Sequence, residues 1–478
     1  MPEVFRTDNP LQYRDLDGVI VTEKNPPPTV VSAGSNNCIL IAQFERGPQD
    51  QPQFVSSISE LQTIFGSNQV YGGNKALRLK KWSNLYVVRA VDDDAVKASW
   101  KQTVSGDDTI LVTAKYKGKY GNGIRVTISN GTAADTKKYV FSEGDTVETF
   151  DNVILPGKTD AELFEIFKTS NLVVVTGADA TRSPDNIANQ NLASGTDGTI
   201  GATDYTRAIA AGNVRVSGKI FFCDDQSDDT KAALSNFIKL EKAGQCVIGP
   251  EELTTTVPAA IEDFEKYDDN EGRVLYAYNP LQLNVEGVIE EESPVYMMAS
   301  ILNLSPPHKD PSAASSTAYT QTAVDTKFNL SRADLILLKN AGICAFENDA
   351  DLGIKLVSGV TANPEFSILR RRMSDFYINS VARFLKYYQG EPNSLINRAS
   401  IRGAIMDFDQ NLVFNGVLPG DDEVDDGKAF VVRTEGITSD SERAQGILKV
   451  EIKRRLFAAA RFIVLIATIS ESVVVEEV

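Results

Sequence analysis

His308 is the only histidine in 478 residues. It stands in Pro306-Pro307-His308-Lys309-Asp310, a proline-flanked stretch that reads as a loop, where an imidazole is solvated and serves no nucleophile or metal. Catalytic triads and most catalytic metal sites use histidine held in a structured cleft, so this composition argues against both. Cysteine is scarce too. Cys38, Cys223, Cys246 and Cys344 lie far apart and make no CxxC pair, which excludes the usual zinc and redox spacings. Each sits among apolar residues, as in Phe222-Cys223 and Cys246-Val247-Ile248, and is expected as a buried reduced thiol. Intersubunit disulfides in an oxidising medium are the alternative. Long apolar runs are missing. Ala458 to Ile469 spans 12 residues and is interrupted by Arg461, whereas a membrane helix needs about 20. Met1 to Asn9 is polar, without the apolar stretch of a secretory signal, so synthesis and storage in cytoplasm are expected. Positive charge is in deficit, with 48 basic against 65 acidic side chains and a net charge of −17. That disfavours nucleic acid as a partner, since such binders need a basic surface to displace counterions.

Nucleotide loops are absent as well. Gly212 and Gly218 stand six positions apart where a phosphate loop requires five, and Ile220 replaces the Ser or Thr that would hold magnesium. Gly121-Asn122-Gly123 lacks the third glycine of a dinucleotide turn. Acidic runs occur at Asp92 to Asp94, Asp224 to Asp229 and Asp421 to Asp426. The last has Asp426 where a calcium loop requires glycine, and no closing glutamate. Such runs read as solvated loops. No cofactor, no metal and no catalytic activity are therefore expected. Energy for any large motion must be stored during assembly, because the chain shows no means of hydrolysing ATP.

What is present suggests about three domains, at roughly 150 residues each. Apolar residues make up 42% of the chain, enough for each domain to bury its own core. Gly18-Val19-Ile20-Val21-Thr22-Glu23 is a β-branched run followed by Pro26, Pro27 and Pro28, a stiff spacer that isolates it as an arm. Cys38 to Ala42 and Leu85 to Val91 read as buried strands, and Ser57 to Phe65 as a short helix stopped by Gly66. Thr109 to Ser129 and Tyr139 to Leu155 alternate in β fashion. From Gly195 onward, strands at Lys219–Cys223 and Gln245–Ile248 flank a helix at Asp228–Ala243, an α/β layer pattern. Ser305 to Ala323 reads as a loop. Phe366 to Tyr388 and Ser394 to about Phe414 are amphipathic helices. Leu448, Val450 and Ile452 alternate as a half-exposed strand. Phe462 to Ile469 is a fully apolar strand, and Val473-Val474-Val475 lies close to the end.

Several stretches together resemble the contractile phage tail sheath family. Gly18 to Glu23 resembles the family's opening strand, with Asp17 where a proline is usual. Ile39-Leu40-Ile41-Ala42 with Gly47-Pro48, Pro52, Ser57 and Ile64-Phe65-Gly66 resembles the next signature, and Tyr86 to Val91 the strand after it. Ala114-Lys115-Tyr116-Lys117-Gly118-Lys119-Tyr120-Gly121-Asn122-Gly123 is similar to the family's loop into an inserted β domain. Gly195-Thr196-Asp197-Gly198 resembles the start of an outer α/β domain. Arg370-Arg371, Glu391-Pro392-Asn393 and Gly446 to Ile463 resemble the late helical pair and terminal strand, although the usual prolines before that strand are missing.

The resemblance implies an α+β multidomain chain. An inner α/β sandwich domain would be built from both chain ends, 29–96 with 353–460, carrying an inserted β-rich domain (97–194) and an outer α/β domain (195–352). Residues 1–28 and 461–478 would be arms. It implies a structural subunit that polymerises in rings, usually of six, around an inner tube protein, meets baseplate and tail terminator proteins, and contracts to drive the tube through a cell envelope. Assembly would occur in the host cytoplasm and the product would be a virion tail, with no insertion into a membrane. The arm strands Val19, Ile20, Val21, Thr22 and Val473, Val474, Val475 would be lent to neighbouring subunits, since an unpaired apolar strand is otherwise an aggregation hazard. Phe366 to Arg402 holds seven basic residues against two acidic ones. Arg370, Arg371, Arg372, Arg383 and Lys386 are expected on or near the polar side of the first helix, and Arg398 and Arg402 one turn apart on the second. As tube-facing contacts they would hold register yet yield on contraction; the alternative is a solvated basic face. Rival readings are a bacteriocin-like or secretion-type injection machine, an α/β enzyme within 195–352, and a surface adhesin. Insertions are expected to be tolerated at Thr132–Asp135 and Ser312–Ser316.

Overall fold

The computed structural model describes residues 4–6, 19–21, 29–32, 34, 36–177, 182–242, 244–267, 269–424 and 427–459. The chain forms two compact units, Gly34–Asp375 and a terminal unit of Met1–Ala33 with Phe376–Val478.

Near the start, β1 (Val4–Arg6) and β2 (Val19–Val21) pair in parallel, with Val4 opposite Val19. The expected arm strand therefore forms, but against a partner from its own chain. Two strands of three residues make a marginal sheet in water. Thr22 lies outside the described residues.

The Gly34–Asp375 unit opens with β3 (Asn37–Ala42), buried at every residue. Its apolar run from Cys38 to Ala42 suits a parallel strand covered on both faces. The short strand β4 (Gln53–Val55) leads to α1 (Ile58–Phe65). The Ser57 side chain caps that helix by accepting from Glu60 N, and Gly66 ends it at φ 85°. α2 (Gly72–Leu77) and β5 (Leu85–Arg89) follow.

The chain then leaves this sheet for a β-rich segment: β6 (Ser99–Val104), β7 (Asp107–Ala114), β8 (Arg125–Asn130), β9 (Lys137–Glu143), β10 (Thr146–Val153), α3 (Asp160–Phe167), β11 (Val173–Thr176) and β12 (Ile187–Asn191). These strands form two sheets, β11-β7-β6 and β10-β9-β8-β12. Alternation places Val126, Ile128, Tyr139 and Phe141 inside, against Val112, Leu163 and Phe167. Thr159 and Glu162 close a capping box at the start of α3.

The return supplies α4 (Ala202–Ala211), β13 (Lys219–Cys223), α5 (Asp228–Glu241), β14 (Gly244–Ile248), α6 (Val257–Glu265), β15 (Val274–Tyr278), β16 (Leu281–Val285), β17 (Val288–Glu292), α7 (Pro294–Leu304), β18 (Ala323–Thr326), α8 (Arg332–Asn340), β19 (Ile343–Asp349) and β20 (Gly353–Leu356). The main sheet runs β20-β19-β15-β14-β13-β3-β5-β4. Its strands from β19 to β5 are parallel, and both edges are antiparallel. Side chains of β3 alternate between two cores. Leu40 faces Leu77, Met297 and Leu302, while Ile39 faces Ile209, Ile238 and Phe264.

This arrangement differs from the expected domain plan. Segment 29–96 was expected to pair with 353–460; instead β3 and β5 extend the sheet of β13, β14, β15 and β19. The reason is physical: β3 is buried on both faces and both edges, and the strands that meet that demand are β13 and β5. Ser312–Ser316 is likewise no free loop, because Ser316 is buried at the start of a 3-10 turn (Ala314–Tyr319). Thr132–Asp135 is exposed.

α9 (Ile368–Leu385) carries the chain into the terminal unit, followed by α10 (Leu395–Phe414), β21 (Phe430–Arg433), α11 (Asp440–Ala444) and β22 (Glu451–Arg454). Tyr377, Val381, Phe384, Ile401, Ile405, Phe408 and Leu412 are the buried apolar stripes of the two long helices. β21 and β22 pair antiparallel, Phe430 opposite Arg454. The expected strand Phe462–Ile469 and the arm residues Val473, Val474 and Val475 lie outside the described residues.

Candidate functional site

The basic side chains of α9 and α10 divide into two classes. On α10 the buried positions Ile401, Ile405, Phe408 and Leu412 define one face. Arg402 points away from it and is exposed. Arg398 lies one turn before Ile401 on the buried side. Its Nε meets Glu435 at 2.6 Å and its Nη1 donates to the Asn393 backbone oxygen at 2.8 Å. On α9, Arg370 and Arg383 are exposed, as is Lys386 in the 3-10 turn that follows it. Arg371 is buried, donates to Asp375 at 2.6 Å, and lies 5.5 Å from the Phe366 ring centroid. Arg372 is buried too. One of its nitrogens donates to Asn36 Oδ1, the Leu302 oxygen and the Ser305 oxygen at 2.6 to 2.8 Å, and burial lowers its pKa to about 10.

Arg371, Arg372 and Arg398 thus depart from the expected solvent-facing ridge and serve internal contacts. Arg370, Arg383, Lys386 and Arg402 remain exposed charges. Exposed apolar residues also occur on these helices, at Ile378, Leu395, Ile396 and Phe414, and Tyr387, expected on the apolar face of the first helix, is exposed just past its end. Leu395 and Ile396 lie off the Ile401–Leu412 stripe, and that was the available signal.

The main sheet offers a second place to look for function. In an open parallel sheet, ligands favour the crevice at the strand carboxyl ends where strand order reverses. Here that point lies between β3 and β13, and the chain's own side chains fill it. Asp224 follows β13 and accepts hydrogen bonds from Gln43 N at 3.0 Å and Tyr205 Oη at 2.7 Å. Burial pushes its pKa up to about 7. Tyr296 Oη donates to the Asp224 backbone oxygen at 3.1 Å. A Cβ on Gly72 would stand 2.2 Å from Asp224 Oδ2, and one on Gly73 2.3 Å from Phe44.

The other candidate groups are absorbed by structure. All four cysteines are buried, and the Cys344 thiol donates to the Val360 oxygen at 3.2 Å. His308 is partly covered rather than solvated, and burial, Lys309 and Arg372 lower its pKa. In the acidic runs, Asp92 accepts from Asp94 N and Thr199 N, Asp225 from Ser227 Oγ, and Asp228 pairs with Lys231 and Lys266. Among the described residues, no three His, Cys, Asp or Glu side chains gather as a metal site. No helix among them is long and apolar enough to cross a membrane.

Neither a protein-family model nor a curated protein matches the sequence. Solved structures do. A sheath tail protein from Desulfitobacterium hafniense superposes with a TM-score of 0.61 at 16% identity, covering 87% of this chain and 94% of that one. A sheath tail protein from Listeria innocua gives 0.62 at 15%, covering 85% and 90%. The helical sheath of the anti-feeding prophage in its contracted state gives 0.56 at 13%, covering 94% and 98%. This chain has the fold of the contractile tail sheath proteins. Within the sheath fold, the exposed cations Arg383, Lys386 and Arg402 belong to the terminal unit. The two motifs around Gly118 and Gly195 belong to the neck of the β-rich segment.

Proposed function

We propose that this chain is the structural subunit of a contractile sheath. Copies stack in rings of six around an inner tube, and their contraction drives the tube through a cell envelope. The observation that carries this reading is the match of fold with sheath proteins over 87% to 94% of the chain, including one solved as a contracted helical sheath. The filled crevice at Asp224 agrees with a role in assembly rather than catalysis.

In this reading the arms connect the polymer. Among the described residues the sheet of β21 and β22 has two strands, and each keeps an edge without a partner there that can take a strand from a neighbour. Val19, Ile20, Val21 and Thr22 from one neighbour and Val473, Val474 and Val475 from another are the donors. About six paired residues would contribute roughly 3–6 kcal/mol per link, at about 1 kcal/mol per hydrogen bond plus apolar burial. Arg383, Lys386 and Arg402 face acidic groups of the tube. Baseplate and terminator proteins hold the two ends. The subunit is made in the host cytoplasm and works in the released particle, as a phage tail. An extracellular injection particle is the second reading, favoured by the 95% of this chain that the sheath of the PVC contractile injection system covers.

Electron microscopy of the purified chain, alone and with its tube protein, tests the proposal. The full chain is expected to form tubes. Chains lacking Met1 to Pro28, or everything after Ser470, are expected to stay folded and soluble without forming them. A full chain that forms no polymer under either condition overturns the function. Truncated chains that still form contractile tubes overturn the role of that arm.

A further inference from the structure

The β-rich segment is tied to the main sheet through a neck, formed where the chain leaves after β5 and returns before α4. Two crossing strands alone make a hinge, and relative motion is the default for domains joined in that way. The neck has such a pair: Val96 and Thr196 exchange backbone hydrogen bonds at 3.0 and 3.1 Å, and Ser99 and Ala193 at 2.9 and 3.0 Å. It also has a third component. The loop between β7 and β8 folds back onto the loop that follows β3.

Arg89, at the end of β5, joins the two loops. Its Nε donates to the Phe44 oxygen at 3.0 Å and its Nη1 to the Gly47 oxygen at 3.1 Å. Its Nη2 donates to the Glu45 oxygen at 3.1 Å and to the Lys117 oxygen at 3.0 Å. Arg89 is 3% exposed, so each carbonyl it satisfies has little water to replace it. Asp197 ties the same place from the returning strand, accepting from Lys119 N at 2.8 Å and from Tyr71 Oη at 3.1 Å. Asn122 and Gly195 bond reciprocally at 2.8 and 2.9 Å. Arg46 forms an ion pair with Glu143 at the far end of β9.

Small residues make the closure possible. A Cβ on Gly195 would lie 2.6 Å from the Gly118 oxygen, and one on Gly121 2.8 Å from the Cβ atoms of Ala98 and Ala114. Gly118 has φ 130° and packs against Asp197 and Arg89.

We propose that Arg89 and Asp197 lock this neck, so that the β-rich segment and the main α/β sheet move as one rigid body. A fork of four donors reaching both loops, with Asp197 tying in the returning strand, fixes both bending and twist, which a two-strand neck leaves free. The inference concerns the isolated subunit and does not depend on its assembling into a sheath.

Spin labels on the full chain at the exposed positions Asp145→Cys and Glu262→Cys, read by pulsed dipolar spectroscopy, test it. The chain with native Arg89 and Asp197 is expected to give one narrow distance distribution. Arg89→Lys, which cannot reach four carbonyls, and Asp197→Ala are each expected to widen it about twofold, towards the freedom of an ordinary two-domain neck. Circular dichroism melts identify any variant that has failed to fold; if Arg89→Lys is lost in this way, Asp197→Ala decides. A broad distribution in the native neck, or folded variants as narrow as it, overturns the proposal.

Discussion

The Lys80–Glu292 pair puts the energetics of this fold to a direct test. The Lys80 side chain is 0% exposed and that of Glu292 3%. The two form an ion pair between the segment after α2 and the end of β17. Arg78 approaches Glu292 at 3.6 Å but bonds Glu290 at 2.6 Å. Burial lowers the Lys80 pKa and raises that of Glu292 even though they face each other. Desolvation therefore outweighs their attraction, and the pair costs free energy to bury. Removing one partner is worse, because it strands the other charge. Breaking such a pair costs about 3–5 kcal/mol. Glu292→Leu is expected at the upper end, since Lys80 would keep the Arg78 backbone oxygen at 3.3 Å and the Tyr296 ring face but no opposite charge. Lys80→Met is expected at the lower end, because Arg78 still faces Glu292. The double variant, apolar on both sides and beside the buried Tyr296 ring, should regain more than half of the summed loss. Urea unfolding followed by circular dichroism, run as a double-mutant cycle, reads these differences. Single variants that each cost under about 1 kcal/mol, or a double variant as costly as the sum, would refute the reasoning.

Further outcomes follow from other sites. The Asp224 pKa is raised from 3.8 to about 7, so the folded chain keeps a proton that the unfolded chain releases. Its contribution is complete below pH 3.8 and is lost as pH rises towards 7. Thermal melts between pH 4 and 7 should therefore show a smaller fall in stability for Asp224→Asn than for the native chain; equal slopes would refute this. Arg402→Glu should leave stability unchanged and weaken co-sedimentation with tubes by about tenfold at low salt. Arg398→Glu should destabilise the subunit itself by about 2 kcal/mol or more, because it sets a carboxylate against Glu435; the reverse pattern would exclude Arg402 as a tube contact. A short Gly-Ser insertion after Ala134, in an exposed turn, should cost under about 1 kcal/mol. The same insertion after the buried Ser316 should cost clearly more, as urea midpoints would report.

Local patterns in the sequence determined much of this protein. Cys38 to Ala42 has no polar position, so it had to be a strand covered on both faces. Lys219–Cys223 is a strand at the residues expected, and the stripe from Ile401 to Leu412 makes α10. These features depend on short-range periodicity, which is written along the chain. Neighbours in space are not. Asn37 lies opposite Lys219 in the sheet, and nothing in either segment names the other, so the domain plan based on chain ends placed β3 with the wrong partners. Arg398 and Arg402 look alike at i and i+4, yet Glu435 draws one inward and the other stays in water. Arg89 reads as a lone charge inside the apolar strand expected over Leu85 to Val91. Only folding brings four carbonyls from two loops around it. A side chain's periodicity comes from its own segment, whereas the partner that satisfies its charge or hydrogen bonds comes from wherever the packed chain delivers one.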